Sequence, residues 1–214
     1  MIKILSIDGK SPAVDAIAEA AATIREGGLV IYPTETVYGL GADATSDEAV
    51  AKVFVAKSRP IESPLPVVVS SIEMARYIME MNRPAEALFG RFMPGPLTVV
   101  GKLKPESISQ LITGGSGKVG VRIPDNRVSL KLVEFVGGPI TATSANLSGG
   151  PAPTTAKEAI EQLGSKVDLA LDSGICRVGK PSTVVDISSG APIIIRGGPI
   201  SGSELEKFLN ELKT

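Results

Sequence analysis

Residues 29–41 read L-V-I-Y-P-T-E-T-V-Y-G-L-G. The apolar run from Leu29 to Tyr32 predicts a buried strand, and Pro33 ends it because proline cannot donate to a sheet's hydrogen-bond ladder. Residues 34–41 are then expected to form a loop at the carboxyl end of a strand, where α/β sheets commonly bind small molecules. Two interpretations stay open: the loop's hydroxyl groups line a ligand crevice, or they satisfy their own backbone.

The segments before this strand continue an alternation of strands and helices. Residues 1–8 predict a strand. An amphipathic helix should run from Ser11 to Arg25, with Ser11 as its cap, Pro12 at its first position and a closing pair of glycines at 27 and 28. A strand, a helix and the buried strand thus follow one another.

The segments after the loop repeat the pattern. Ser46 caps a second helix that should end near Ser58, because Pro60 biases the residue before it away from helical geometry. Further strands are predicted at 65–70, 97–103, 119–123, 139–143, 168–171, 183–187 and 192–196, and further helices at 71–81, 84–92, 127–136, 155–163 and from 203. Interleaved strands and helices predict an α/β fold, and strand pairs without a helix between them predict a mixed sheet. We expect residues 1–214 to form a single domain with one mixed sheet flanked by helices.

Composition limits the chemistry. The 214 residues include 43% hydrophobic and 21% charged residues, with a formal net charge of -1. The apolar runs are too short for a membrane span, and the N-terminus lacks a signal-peptide core, so a cytoplasmic location is expected. The chain has no histidine and one cysteine, Cys176. Histidine-based triads and His-ligated zinc are therefore excluded, and Cys176 is interpreted as a buried, inert thiol.

The first cationic candidate is K-S-R-P at residues 57–60. Two cations at a helix end usually interact with the helix dipole in solvent. Here they lead into a proline-constrained loop, and a guanidinium suits bidentate phosphate contacts while a lysine supplies a point charge. Lys57 and Arg59 are therefore candidate phosphate ligands.

The second candidate is G-G-S-G-K at residues 114–118, followed by V-G-V-R-I-P. It does not match a phosphate-binding P-loop at either end, so Lys118 is only a candidate phosphate contact. Arg122 interrupts an apolar strand, and a buried guanidinium needs an anionic partner. That partner could be a protein carboxylate or a substrate carboxylate.

The third candidate is T-S-A-N-L-S-G-G-P at residues 143–151, where small polar side chains and glycines allow a ligand to approach the backbone. Ser182 at the start of a strand and Arg196 at the end of another join this set. Polar residues at so many strand and helix ends favour a crevice for a nucleotide or another phosphorylated ligand.

The order of these motifs resembles the YrdC family of threonylcarbamoyl-adenylate synthases over about residues 12–200. The matching motifs are Y-P-T-E-T-V-Y-G-L-G, A-K-S-R-P, V-G-V-R-I-P-D, T-S-A-N-L-S-G, P-S-T-V-V-D and I-I-I-R-G-G. The resemblance implies a twisted, open YrdC-like sheet with a concave central cavity, in the short, single-domain form. It also implies the joining of L-threonine, bicarbonate and ATP, with Mg²⁺, into threonylcarbamoyl-AMP and pyrophosphate. The product would pass to a threonylcarbamoyl transferase complex that modifies tRNA, and affinity for tRNA or double-stranded RNA is implied as well.

The resemblance also implies roles for single residues. The implied catalytic residues are Lys57 and Arg59. The implied ATP-binding residues are Lys57, Arg59, Ser63, Lys118, Ser144, Asn146 and Arg196. The implied threonine-binding residues are Thr36, Arg122 and Ser182, and no metal ligands are assigned.

Three positions depart from the family pattern. Ser63 stands where many relatives have asparagine, Val68 where many have histidine in the threonine pocket, and Lys118 where a small hydroxyl residue is common. These departures leave one other hypothesis, a paralogue that keeps the cavity and binds RNA but has lost or changed the reaction.

Overall fold

Two mixed β-sheets with helices packed around them form the fold. The computed structural model describes residues 2–189 and 191–212. The strands of this part of the chain are β1 (Lys3–Ser6), β2 (Val30–Tyr32), β3 (Gly39–Gly41), β4 (Pro66–Val68), β5 (Leu97–Lys102), β6 (Lys118–Arg122), β7 (Ile140–Thr141), β8 (Thr143–Ser144), β9 (Leu169–Asp172), β10 (Thr183–Asp186) and β11 (Ile193–Arg196). The helices are α1 (Val14–Arg25), α2 (Asp47–Lys57), α3 (Ile72–Ile78), α4 (Arg83–Phe92), α5 (Arg127–Val136), α6 (Ala156–Leu163) and α7 (Gly202–Glu211).

The strand order differs from the expected single sheet. One sheet has the order β1-β9-β2-β3-β8 and the other has the order β11-β10-β5-β6-β4-β7. Both contain parallel and antiparallel pairs, such as β10 parallel to β5 and β5 antiparallel to β6. The predicted α/β class with open mixed strands flanked by helices is confirmed, but the strands divide into two sheets.

The division occurs at residues 140–144. The predicted strand at 139–143 is in fact two short strands: β7 pairs with β4 in the six-stranded sheet, and β8 pairs with β3 in the five-stranded sheet. Between them, the amide of Ala142 donates to the carbonyl of Pro66. The chain therefore passes from one sheet into the other at Ala142.

Helix α2 begins as predicted, but α1 does not. The Ser46 hydroxyl accepts from the amide of Ala49, which caps α2. The predicted cap Ser11 lies outside α1, because its amide donates to the Asp8 side chain and the segment is still turning there. The helix starts at Val14, after Ala13, which makes no side-chain cap.

Part of the predicted loop after β2 is also a strand. Residues Gly39–Gly41 pair with β2 and with β8. A Cβ added at Gly39 would lie 2.7 Å from the ring carbon Cζ of Tyr32, which is fully buried. Glycine is therefore required for the strand to pass so close to the tyrosine ring.

No helix in residues 2–189 and 191–212 is long and apolar enough to cross a membrane.

Candidate functional site

One face of the six-stranded sheet forms the floor of a cavity of about 410 Å³. Alternate residues of β5, β6 and β10 point into it, as the two-residue period of a strand requires. On β6 these are Lys118, Gly120 and Arg122. The segments at 36–37, 59, 64–66, 142–144 and 181–182, together with the end of β11, supply the walls.

Seven of the predicted site residues line this cavity, and three do not. The seven are Thr36, Arg59, Lys118, Arg122, Ser144, Ser182 and Arg196. Lys57, Ser63 and Asn146 lie outside the lining. The K-x-R and S-x-N motifs therefore each contribute one residue to the cavity and one residue behind its wall.

Lys57 is held by the backbone of the T-S-A-N segment. Its side chain is 1% exposed. The ammonium donates to the carbonyl oxygen of Ser144 at 2.5 Å and to that of Asn146 at 2.6 Å. Burial, and next the charge of Arg59, lower the pKa of Lys57 to about 8. In this structure Lys57 joins α2 to the turn at 144–146.

The S-x-N pair forms a fixed hydrogen-bond network. The Ser144 hydroxyl donates to Asn146 Oδ1 at 2.5 Å, and Asn146 Nδ2 donates to the carbonyls of Leu147 and Gly150. Because its proton is committed to Asn146, Ser144 presents an oxygen lone pair to the cavity. Ser144 is thus suited to accept a hydrogen bond from a ligand rather than to donate one.

Arg59 is oriented by carbonyl oxygens of its own loop. Its Nη2 donates to the carbonyl of Pro64 at 3.0 Å, and its Nε lies 3.4 Å from the carbonyl oxygen of Ser63. Burial holds the pKa of Arg59 below its ordinary value. Ser63 therefore contacts this guanidinium through its main-chain carbonyl and not through its side chain.

Arg122 has a protein carboxylate as its partner. Its Nη2 lies 2.7 Å from Glu35 Oε1, and the side chains are 8% and 2% exposed. The Nε of Arg122 donates to the carbonyl of Gly95 at 3.1 Å, and Nη1 donates to Thr36 Oγ1 at 2.8 Å. The sequence allowed either a protein carboxylate or a substrate carboxylate as the partner of Arg122, and in the structure the partner is the carboxylate of Glu35.

The hydroxyl of Thr36 already has hydrogen-bond partners within the protein. Thr34 Oγ1 donates to the carbonyl of Val37 at 2.7 Å, so the proton between the two threonine hydroxyls, 2.8 Å apart, belongs to Thr36. Thr36 therefore donates to Thr34 and accepts from Arg122, and it is fully buried. Its hydroxyl holds the guanidinium in place.

Arg196 and Ser182 meet across β10 and β11. The guanidinium donates to the Ser182 carbonyl at 2.8 Å and to its hydroxyl at 3.2 Å. The Ser182 hydroxyl also lies 2.8 Å from that of Thr98. Burial, and next the charge of Arg122, hold the pKa of Arg196 below its ordinary value, and both guanidinium groups line the same cavity.

Lys118 pairs with Asp186 on the same floor. Their Nζ and Oδ2 atoms lie 3.0 Å apart, and the side chains are 38% and 13% exposed. Hydrogen bonds from Ser188 and Lys118 hold the pKa of Asp186 below its ordinary value despite its burial. Among the described residues, Arg59 and Arg196 have no carboxylate within 4.0 Å, so they are the unpaired cations of this cavity.

Sequence analysis missed Glu35, Thr98 and Asp186. Glu35 lies inside the stretch that predicts the first loop, and Asp186 ends the motif P-S-T-V-V-D. Alternation along β5 and β10 could have placed Thr98 and Asp186 on the face that carries the cavity. No sequence signal pairs Glu35 with Arg122, because 87 positions separate them.

Two residues flagged by the sequence lie away from the cavity. Val68 is 1% exposed and packs in a hydrophobic cluster with residues of α1 and α5. Cys176 is buried, and burial raises its pKa to about 12, which agrees with an inert thiol. Among residues 2–189 and 191–212, no group of three or more Cys, Asp and Glu side chains could hold a metal ion.

A family model named for Sua5, YciO and YrdC, and described as "Telomere recombination", matches residues 22–198. The chain is 44% identical over 195 residues to the threonylcarbamoyl-AMP synthase of Pyrococcus abyssi, an alignment that covers 91% of this chain and 57% of that relative. This chain thus spans less than two thirds of that protein.

Solved structures give the same likeness. A crystal structure of P. abyssi Sua5 in complex with L-threonine superposes with a TM-score of 0.93 at 41% identity, over 97% of this chain and 61% of that one. The solution structure of the MTH1692 protein from Methanobacterium thermoautotrophicum superposes with a TM-score of 0.68 at 38% identity, over 91% of this chain and 93% of that one.

Proposed function

Because the chain belongs to the Sua5–YciO–YrdC family, we propose that it is a threonylcarbamoyl-AMP synthase. The reaction would be L-threonine + bicarbonate + ATP to threonylcarbamoyl-AMP + pyrophosphate + water. The identity of 44% to the P. abyssi synthase supports this assignment.

The observation that carries the proposal is the distribution of charge in the cavity. The unpaired guanidinium groups of Arg59 and Arg196 offer positive charge to phosphate oxygens. The third guanidinium, of Arg122, is neutralised by Glu35. A cavity with one cationic subsite and one subsite whose guanidinium is neutralised suits a nucleotide and an amino acid together.

The chemistry needs positioning and charge stabilisation more than a strong base. The threonine amine would attack bicarbonate and expel water, and an oxygen of the resulting carbamate would attack the α-phosphorus as pyrophosphate leaves. Arg59 and Arg196 would stabilise the charge that develops on the phosphates. Ser144, whose oxygen is free to accept, would contact a hydroxyl or amino group of the nucleotide.

Mg²⁺ would enter as part of the MgATP substrate. Mg²⁺ prefers phosphate oxygens and water with few carboxylates. Asp186 is the carboxylate that lines the cavity, and it is already paired with Lys118. The protein's contribution would then be to bind the phosphates that carry the ion.

We further propose that the product is consumed by a threonylcarbamoyl transferase acting on tRNA. The other hypothesis, an RNA-binding paralogue without the reaction, was motivated by Val68 and Ser63. Val68 is in the hydrophobic core and Ser63 contacts Arg59 through its carbonyl, so neither side chain lines the cavity of this protein.

Pyrophosphate release tests the proposal. Purified protein is incubated with ATP, Mg²⁺, L-threonine and bicarbonate, and each component is omitted in turn. We expect release only when all are present. Release that continues without threonine or without bicarbonate would overturn the proposed function.

A further inference from the structure

We propose that Glu35 is a specificity-determining residue, which acts through Arg122 to make this end of the cavity select a zwitterionic amino acid over a carboxylate that lacks an amino group. The inference rests on the proposed function, since it concerns the amino-acid subsite of that reaction. Glu35 does not line this cavity and reaches it only through its ion pair with Arg122, so its effect on a ligand is electrostatic.

The pair cannot easily separate. Two of the three guanidinium nitrogens are fixed by hydrogen bonds, Nε to the carbonyl of Gly95 and Nη1 to Thr36 Oγ1, and Nη2 lies in ion-pair contact with the buried carboxylate of Glu35. The hydroxyl that accepts from Nη1 is itself fixed by Thr34. A carboxylate that enters the cavity therefore meets Arg122 with Glu35 still beside it.

The Glu35–Arg122 pair consequently carries no net charge. Glu35 and Arg122 are both buried, and charges in such surroundings interact more strongly than in water. The remaining unpaired cations, Arg59 and Arg196, are the groups left for the phosphates. An amino acid brings a carboxylate and an ammonium and adds no net charge, whereas a simple carboxylate adds one negative charge near Glu35.

The prediction is a ratio of affinities. Both L-threonine and its deaminated analogue 3-hydroxybutyrate carry the carboxylate and the hydroxyl, but only threonine carries the ammonium. Any loosening of Arg122 weakens the carboxylate contact of both ligands alike. Loss of the negative charge of Glu35, in contrast, favours 3-hydroxybutyrate, which is the more negative ligand. A change in the ratio of the two affinities therefore reports the charge of Glu35 and not structural damage.

The experiment measures binding of each ligand by titration calorimetry, without ATP, to the wild type, Glu35→Gln and Glu35→Asp. We expect the wild type to bind threonine at least about tenfold more tightly than 3-hydroxybutyrate. Glu35→Gln should reduce that ratio about tenfold, and Glu35→Asp, which keeps the charge, should preserve it. Asp186→Asn, which removes a carboxylate at the Lys118 end of the floor, should change the ratio much less.

Equal affinity of the wild type for the two ligands, or no binding of either, would overturn the proposal even if Glu35→Gln fails to fold. An unchanged ratio in folded Glu35→Gln would overturn it as well. Because the readout is binding, failure of the proposed function is seen separately. Threonine binding with the predicted ratios, but without threonine-dependent pyrophosphate release, would refute the synthase assignment and leave this inference standing.

Discussion

The ammonium nitrogen of Lys57 lies 2.5 Å from the carbonyl oxygen of Ser144, behind the wall of the cavity that Arg59 and Ser144 line. One residue of the K-x-R motif thus faces the cavity while the other organises the turn that carries Ser144. The two cations have different structural roles although only Ser58 separates them.

Substitution should distinguish these roles. Lys57→Met removes the donor to two carbonyl oxygens, so we expect residues 144–150 to lose protection from hydrogen exchange and ATP affinity to fall about tenfold. Arg59→Met removes a charge from the cavity itself. It should weaken ATP binding by about tenfold or more, since hydrogen bonds to charged groups contribute about 1.5–3 kcal/mol.

Hydrogen exchange is the deciding measurement for this pair. In Arg59→Met, exchange at 144–150 should match the wild type. Equal loss of protection in both variants would contradict the division of roles.

ATP affinity should depend on pH through Lys57. Its pKa is lowered to about 8. The ammonium has three N–H groups for its three oxygen partners, the carbonyls of Ser144 and Asn146 and the side-chain oxygen of Asn146, whereas the neutral amine has only two. The third hydrogen bond is therefore present well below pH 8 and is lost as the pH rises through that value. Calorimetry between pH 7 and 9.5 should show a two- to fivefold loss of affinity, on the order expected for weakening one hydrogen bond.

Lys57→Met is the control for this titration. Without the titrating amine, ATP affinity should be flat over the same range. A wild-type decline that persists in Lys57→Met would assign the titration to another group.

Local signals in the sequence predict much of the fold. Ser46 caps α2 as predicted, and α2 ends at Lys57, before Pro60, because both features depend on residues a few positions apart. The predicted start of α1 was wrong: Ser11 lies in a turn in which its amide donates to Asp8, and the helix begins at Val14. The strand at Gly39–Gly41 was missed because the packing of its glycines against Tyr32 is a tertiary contact.

The site was predicted less completely for the same reason. Polar residues at strand ends were identified, and seven of those predicted line one cavity. Burial of Lys57 against the 144–146 turn and pairing of Glu35 with Arg122 join residues more than eighty positions apart. Such pairs are set by how the two sheets meet, which no local pattern encodes.

The hydroxyl of Thr34 should be important for stability and for the amino-acid subsite. It accepts from the amides of Thr36 and Val37 and donates to the carbonyl of Val37. Thr34→Val should lower the free energy of unfolding by about 2 kcal/mol, because buried polar groups lose their partners. It should also weaken threonine binding about fivefold, because Thr36 no longer holds Arg122 in one orientation.

Thr34→Ser keeps the hydroxyl and should restore most of both losses. Thr45→Val is a matched control, since Thr45 bonds only Asp43 at an exposed turn and should change stability by less than about 0.5 kcal/mol. Denaturant unfolding and calorimetry measure the two effects. A Thr34→Ser variant as damaged as Thr34→Val would show that side-chain shape, and not the hydroxyl, is what the loop requires.

Gly120 lies in the middle of the cavity floor, and we expect even a methyl side chain there to reduce activity. A Cβ there would lie 3.0 Å from Thr98 Cγ2 and 3.4 Å from Pro66 Cβ, both of which belong to cavity-lining residues. Gly120→Ala should therefore leave the fold intact but displace Thr98, whose hydroxyl lies beside Ser182. We expect kcat/KM for pyrophosphate release to fall at least about tenfold while the free energy of unfolding changes by about 1 kcal/mol or less.

Gly138→Ala, where an added Cβ meets nothing within 4 Å, should leave both quantities unchanged. Full activity in Gly120→Ala would mean that the ligands do not contact the floor of this cavity.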